Sequence, residues 1–341
     1  MSGKARFQVA ATPGRRRWLA MAGAVVLASA GIGGSAMAQD DNFPSKPIKL
    51  VVPYATGGVS DAMGRMIATA LSKALNQSVV VENRGGAGGT LGAAVVAKAP
   101  ADGYTLLLTS PPMVAVAPVL LRDLPYDTSK DFTMVGTFAV TPNVLVVNND
   151  LPAKSIAELI SYAKGAGKGQ LSFGSAGPGS TGHLSGHILQ TATGIEMQHI
   201  PYKSSGQAFP DVISGRVSMV FDSLPSTIGH VRSGKVRPLL VMSEKRSSVM
   251  PDVPTAIESG FPAATMHFWV GLEGPARMPK PVVDKLNGAL KTVVASKELR
   301  DQLAFLGAEP YHTTSAEFEA LRQKDVVKYA RLVKDMGLKQ E

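Results

Sequence analysis

The sequence predicts an α/β protein of two compact lobes, each a mostly parallel sheet flanked by helices. Three observations carry that reading. At 341 residues the chain is longer than a single ordinary core organises. After residue 39, short apolar runs alternate with stretches whose apolar residues recur every three or four positions. The 35 glycines and 23 prolines gather at segment ends, so they read as turns and not as low-complexity linkers.

The first strand is the apolar run at 48–54 (IKLVVPY). Helical spacing follows, with Met63, Ile67, Leu71 and Leu75 four apart and Ser60 and Asp61 placed to cap. A strand at 79–81 leads through the turn from Gly85 to Gly89 into a small-residue helix ending near Lys98. The run at 104–109 (YTLLLT) is a third strand, followed by a helix near 113–121. A strand at 143–147, a helix at 155–164, strands at 171–174 and 196–200, and a helix near 205–214 come next. The strand at 217–221 and a last parallel-type strand at 236–242 close the series, and helices dominate from 279 onward. Alternating apolar strands and helices imply parallel sheets covered on both faces, where ligands sit beyond the carboxyl ends of the strands. The apolar segments 143–147 and 268–272, flanked by proline and glycine, suit crossings between lobes. They divide the chain into one lobe of 40–142 plus 264–341 and another of 143–263.

The first 38 residues read as an export leader. Arg15, Arg16 and Arg17 form a basic start, an apolar stretch runs from Trp18 to about Ala30, and Ala36-Met37-Ala38 is an A-x-A cleavage site. Cleavage after Ala38 would place a mature chain starting at Gln39 in the periplasm. The apolar stretch is shorter than the roughly 20 residues a membrane span needs. Arg15-Arg16 before Trp18-Leu19 is also loosely compatible with twin-arginine export. The net charge of +9 is concentrated here, because Lys4, Arg6 and the three arginines meet no acid. The remainder is spread out, without the basic stripe and interleaved aromatics of a nucleic-acid binder. With no cysteine, disulfides, thiolate catalysis and Cys-ligated zinc are excluded.

Three loops that leave strands for helices carry the functional reading. The first is Pro53-Tyr54-Ala55-Thr56-Gly57-Gly58-Val59-Ser60-Asp61. Gly57 and Gly58 let a ligand approach the backbone, and free N–H groups at the helix start bind an anion without any arginine. The competing reading is a plain turn in which Ser60 or Asp61 caps those groups. The second runs from Gly174 and Ser175 through Gly177, Gly179, Ser180, Thr181 and Gly182 to His183, and it suits a second anion cradle. Its G-x-G-x-x-G spacing, Gly177 to Gly182, raises an alternative: a secreted NAD(P)-dependent oxidoreductase. That fingerprint wants an acid at the end of the next strand, where Tyr202 and Lys203 stand instead. The third holds Asp222, either a partner for the far end of a ligand or a cap for the helix beyond 224. Ser110, just past the third strand, joins the candidate site.

Other chemistry is poorly represented. His183 and His187 have a metal-ligand spacing, but no further ligand is near in sequence, and packing histidines explain them better. No phosphate loop with its lysine and no G-x-S-x-G turn occurs, so no cofactor, metal or catalytic residue is expected. Trp269 and Phe268 line a cleft or hinge, or pack in the core.

Several segments together resemble the tripartite tricarboxylate transporter receptor family, also called Bug proteins. They are Phe43-Pro44-Ser45-Lys46-Pro47-Ile48, Val52-Pro53-Tyr54 with Gly57, Gly58 and Asp61, and Val81-Glu82-Asn83-Arg84 with Gly88-Gly89. Asp102-Gly103-Tyr104-Thr105-Leu106, the run from Phe173 to Leu184, Pro201-Tyr202-Lys203, Asp222, and the segment from Gly234 to Leu239 continue the match. Pro251-Asp252-Val253-Pro254-Thr255 and Gly260-Phe261 extend it, in family order, toward the C-terminus. The resemblance implies a two-lobed periplasmic-binding-protein fold, type II-like, that closes on a small carboxylic acid held between the first two loops. The implied partners are that ligand and membrane transporter subunits; no nucleic acid is involved and the protein is expected to be a monomer. Thr56 and Val59 stand where the family often has a second proline and a polar residue, so the resemblance reaches the ligand's class and not its identity. If both helix N-termini hold the anion, bulky replacement at Gly58 or Gly179 is expected to block binding with the fold intact.

Overall fold

Strand β1 (Ile48–Val52) sends only Lys49 to solvent, and a strand this apolar on both faces must be covered from both sides. In the computed structural model, which describes Gly3 and residues 42–165 and 168–338, it is. The chain divides between Phe43 and Pro44, and the architecture below is that of the part beginning at Pro44. The leader reading and the cleavage after Ala38 lie outside the described residues.

Helix α1 (Val59–Leu75) buries Met63, Ile67 and Leu71 and stops at Asn76, whose φ of 49° turns the chain out of the helix. Strand β2 (Val79–Asn83), α2 (Thr90–Ala97) and β3 (Thr105–Thr109) follow. The helix expected near 113–121 is a π-turn at Pro112–Val116 leading into the short α3 (Ala117–Leu120). Then come β4 (Phe132–Val147), α4 (Ile156–Lys164), β5 (Ser172–Ser175), α5 (Thr181–Thr193) and β6 (Gln198–Pro201). The segment near 205–214 splits into a 3-10 turn, Ser205–Gln207, and α6 (Phe209–Ile213), with Pro210 in its first turn. The chain closes with β7 (Met219–Ser223), α7 (Leu224–Arg232), β8 (Arg237–Val241), β9 (His267–Pro275), α8 (Lys280–Ala295), α9 (Lys297–Phe305), β10 (Glu309–Pro310) and α10 (Ser315–Asp335).

The fold is two-lobed α/β. β1 pairs in parallel with β2 and β3, and β5 pairs in parallel with β6 and β7. Between these two parallel groups lies β4, longer than the expected 143–147. Its residues 132–142 pair antiparallel with β9 and, at Ala139 and Val140, with β10. Its residues 143–147 pair antiparallel with β7, and 144–147 with β8. Two register shifts, after Met134 and after Thr137, bend the first half. The reading of 236–242 as a parallel-type strand needs correction: β8 lies antiparallel against β4, because the neighbour that accepts it comes from far earlier in the chain.

Each parallel group covers its own apolar interior. Val51, Leu107, Met134, Trp269 and Phe318 belong to one cluster. Leu145, Phe173, Leu184 and Phe221 belong to another, with a smaller one around Val144, Val220 and Phe209 on the opposite sheet face. Helix α10 contributes to two of them: Phe318 near its start packs with Trp269, and Tyr329 and Val333 near its end complete the cluster around Leu145. No helix among the described residues is long and apolar enough to cross a membrane.

Candidate functional site

The loop between β1 and α1 is shaped by the carboxylate of Asp61. Its Oδ2 accepts the Gly57 N–H at 2.9 Å, its Oδ1 accepts Asn83 Nδ2 at 3.0 Å, and Arg65 pairs with it at 3.0 Å. These partners, the Gly57 amide foremost and then Arg65, hold the carboxyl down at about 2. Asn83 also donates to the Tyr54 carbonyl at 3.1 Å, and a Cβ at Gly85 would stand 3.0 Å from the Ala55 nitrogen. The second strand and its loop therefore brace the first loop from behind. Gly57 takes φ 87°, which a residue with a side chain resists. Asp61, one of the two residues placed to cap, caps the loop before the helix and not the helix itself. The N-cap of α1 is Gly58, with no side-chain hydrogen bond. The helix thus starts with backbone donors that its own side chains leave alone.

Beside that helix start lies a cavity of about 30 Å³. Tyr54, Val59, Ser60 and Met63 line it from the loop and α1, and Leu108, Thr109 and Ser110 from the end of β3. Thr141 of β4, Ser223 at the end of β7, and Phe268 and Val270 of β9 complete the wall. No charged side chain is among them. Burial pushes the Tyr54 phenol up, with the Ser110 hydroxyl pulling the other way. Strand alternation separates Phe268 and Val270 from Trp269, which turns away into the core against Phe318, ring centroids 4.9 Å apart. Of the two sequence readings of this aromatic pair, lining holds for Phe268 and core packing for Trp269.

The glycine loop after β5 is bonded largely to itself. Ser180 is the N-cap of α5, accepting the His183 amide at 3.3 Å and donating to the Gly177 carbonyl at 2.7 Å. Ser175, fully buried, accepts the Gly177 amide at 3.1 Å and sits 2.7 Å from Nε2 of His199. The Gly179 amide donates to Nδ1 of His183 at 3.2 Å. The Tyr202 amide donates to the Ser175 carbonyl at 3.0 Å, and its phenol donates to Asp211 at 2.7 Å. The three glycines of the dinucleotide-like spacing have packing reasons. Gly177 and Gly179 take φ 95° and 71°, and a Cβ at Gly182 would lie 2.3 Å from the Phe221 carbonyl oxygen. Nothing in this arrangement favours the oxidoreductase alternative.

Asp222 is buried at the end of β7, where Oδ1 accepts the Ser223 amide at 2.8 Å and Oδ2 has no hydrogen-bond partner. Burial pushes its carboxyl up to about 6, opposed by the nearby hydroxyls of Ser205 and Ser226. It does not cap α7, whose N-cap is Ser223.

Of the residues singled out from sequence, Tyr54, Ser60 and Ser110 line the cavity. Ala55, Thr56, Gly57 and Gly58 are exposed on the loop between β1 and α1 and do not line it. Asp61 holds the loop together. Ser175, Gly177, Gly179, Ser180, Thr181, His183, Tyr202 and Asp222 do not line it; only Ser223, next to Asp222, does. The lining residues missed were mostly apolar ones such as Met63 and Leu108, which helical and strand periodicity assigns to a core.

Residues 63–338 match the model of a family described as tripartite tricarboxylate transporter family receptor. The protein BugT of Bordetella pertussis is 35% identical over 324 residues, 95% of this chain and 98% of BugT. Two solved structures from Rhodopseudomonas palustris are similar throughout. Rpa4515 with adipate gives a TM-score of 0.79 at 34% identity, covering 88% of this chain and 100% of that one. MatC with bound malate gives 0.73 at 32% identity, covering 85% and 100%.

Proposed function

Because the chain belongs to the tripartite tricarboxylate transporter receptor family, we propose that it is a periplasmic receptor that captures a small carboxylic acid, without chemistry, beside the start of α1. The observation that carries this reading is the pairing of an uncapped helix N-terminus with a cavity wall that has no charged side chain. A helix terminus stabilises an anion by roughly 0.3–1 kcal/mol, up to about 2 when partly buried. Each hydrogen bond to a charged acceptor adds about 1.5–3 kcal/mol. The hydroxyls of Ser60, Ser110 and Ser223 and the phenol of Tyr54 supply such donors. Adipate and malate, bound by two similar proteins, support a dicarboxylate or an acid of that size.

The ligand is held between two lobes, 40–142 plus 264–341 and 143–263. The division is supported by β4, which changes pairing partners at Asn143. The cavity of about 30 Å³ has room for roughly one or two waters. An acid of adipate's size enters only when Tyr54, Met63 and Phe268 part from Ser223, so capture is coupled to opening and closing of the lobes. Asp222 and the glycine loop 174–183 serve from the second lobe. Asp222 faces the end of the ligand away from the carboxylate held at α1, since a like charge beside that carboxylate would repel it. The leader is removed after Ala38 once it has directed export, and membrane transporter subunits are the partners that receive the ligand.

Titration calorimetry of the mature chain with adipate, malate and a set of mono- and tricarboxylates tests the reading. The expected result is one acid bound near micromolar affinity, about 8 kcal/mol, unchanged on recovery. Absence of binding to every acid in the set, or turnover of one, would overturn it.

A further inference from the structure

The second lobe contains a pair of histidines that the carboxylate site does not use directly. The rings of His183 on α5 and His199 on β6 stack face to face, centroids 3.8 Å apart and 10° from parallel. Phe173 on β5 lies against His199 at 5.0 Å and meets Phe221 of β7 edge-on at 5.6 Å. Each imidazole ends a chain of hydrogen bonds that begins in the glycine loop. Gly179, at φ 71°, donates its amide to His183 Nδ1 at 3.2 Å. Gly177, at φ 95°, donates its amide to Ser175 Oγ at 3.1 Å, and that oxygen is 2.7 Å from His199 Nε2. The two left-handed turns of the loop are therefore both referred to one aromatic stack.

We infer that His183 and His199 are paired positioning residues, whose neutral stacked rings hold residues 175–180 in the conformation the ligand meets. The inference rests on the carboxylate reading above. A ring nitrogen that accepts an N–H bond carries no proton, so His183 is neutral with its proton on Nε2. Two rings at this spacing also cannot both be charged without strong repulsion. The groups around the pair do not stabilise a cation. His187 lies one turn further along α5, and Phe173, the ring packed against both histidines, carries no charge. On β7 the nearest acid, Asp222, alternates to the other sheet face from Phe221. Burial, with His199 and His187 adding to it, pushes His183 down to about 4.

The test uses His183→Phe, which keeps the stack and removes the acceptor, and His183→Asn, which restores an acceptor. Circular dichroism checks the fold, hydrogen exchange reads the 175–182 amides without ligand, and calorimetry reads adipate and malate affinity. His183→Phe is expected to speed exchange in this segment and weaken binding by about tenfold each, while His183→Asn recovers most of both. In the wild type, protection of the Gly179 amide falls as pH drops from 6.5 toward 4, and in His183→Asn it does not. Unchanged exchange in His183→Phe, or an Asn variant no better than Phe, would overturn the inference. If His183→Phe does not fold, the wild-type pH series at Gly179 decides instead, and a flat profile overturns it. Normal exchange behaviour with no acid bound by the wild type would overturn the carboxylate reading and leave the positioning role standing.

Discussion

The indole N–H of Trp269 donates to Asp325 Oδ2 at 2.6 Å, fastening the crossing strand β9 to α10. Trp269 is fully buried, so its donor has no access to water if the acceptor is lost. Asp325→Ala is expected to lower stability by about 1–3 kcal/mol, while Asp325→Asn, which keeps an acceptor, stays near wild type. Urea unfolding of the two variants checks this, and equal losses in both would refute it.

Glu273 lies on the same face of β9 as Trp269, fully buried, with neither carboxylate oxygen hydrogen-bonded. Burial pushes its pKa from 4.5 up to about 8, against the pull of Thr109 and Arg322. The folded state then holds a proton that the unfolded chain releases, so stability falls as pH rises from about 4.5 to 8. Glu273→Gln cannot titrate and should be more stable at pH 7 by about 2–3 kcal/mol, with a flatter stability profile over that window. Unfolding midpoints measured at pH 5 and pH 8 give the comparison.

Gly58 and Gly179 separate binding from folding. A Cβ at Gly58 would have only the Ala55 carbonyl oxygen near it, at 3.8 Å, and the backbone there is ordinary at φ −85°. Gly58→Leu should keep its stability within about 1 kcal/mol while weakening acid binding by about tenfold or more. Gly179 is different: its φ is 71° and a Cβ would stand 2.1 Å from Leu120 Cδ1. Gly179→Ala should therefore cost roughly 1–3 kcal/mol of stability. Of the two positions only Gly58 has the space and backbone for a substitution that leaves the fold intact, and thermal melts alongside calorimetry will tell them apart.

Arg277 occupies the left-handed region at φ 65° in an exposed turn after β9. Arg277→Gly relieves that conformation and should stabilise by about 0.5–1 kcal/mol after glycine's extra freedom in the unfolded chain is counted. A lower melting temperature in the variant would count against the strain.

Strands such as β1 and β3 were legible because both of their faces are apolar, a property a strand carries in its own residues. The first half of β4 was not. Gly136, Thr137 and two register shifts break the alternation there, and its strand character comes from β9, well over a hundred residues later. The direction of β8 had the same cause, a partner chosen by tertiary pairing. At the site, the loop above α1 was readable from its glycines and its position after a buried strand. The role of Asp61 was not, because it depends on Asn83 arriving from the next strand. The cavity walls at Met63 and Leu108 read as core residues, since periodicity shows which residues share a face but not which face is open.

Helix α10 sets a timetable for folding. Tyr329 and Val333 fill the interior around Leu145 and Leu171, so a lobe whose own strands end near residue 241 lacks part of its packing until the last helix has been synthesised. A chain emerging N-terminus first cannot finish either lobe early and lock it, which keeps the polypeptide loose while it is being made.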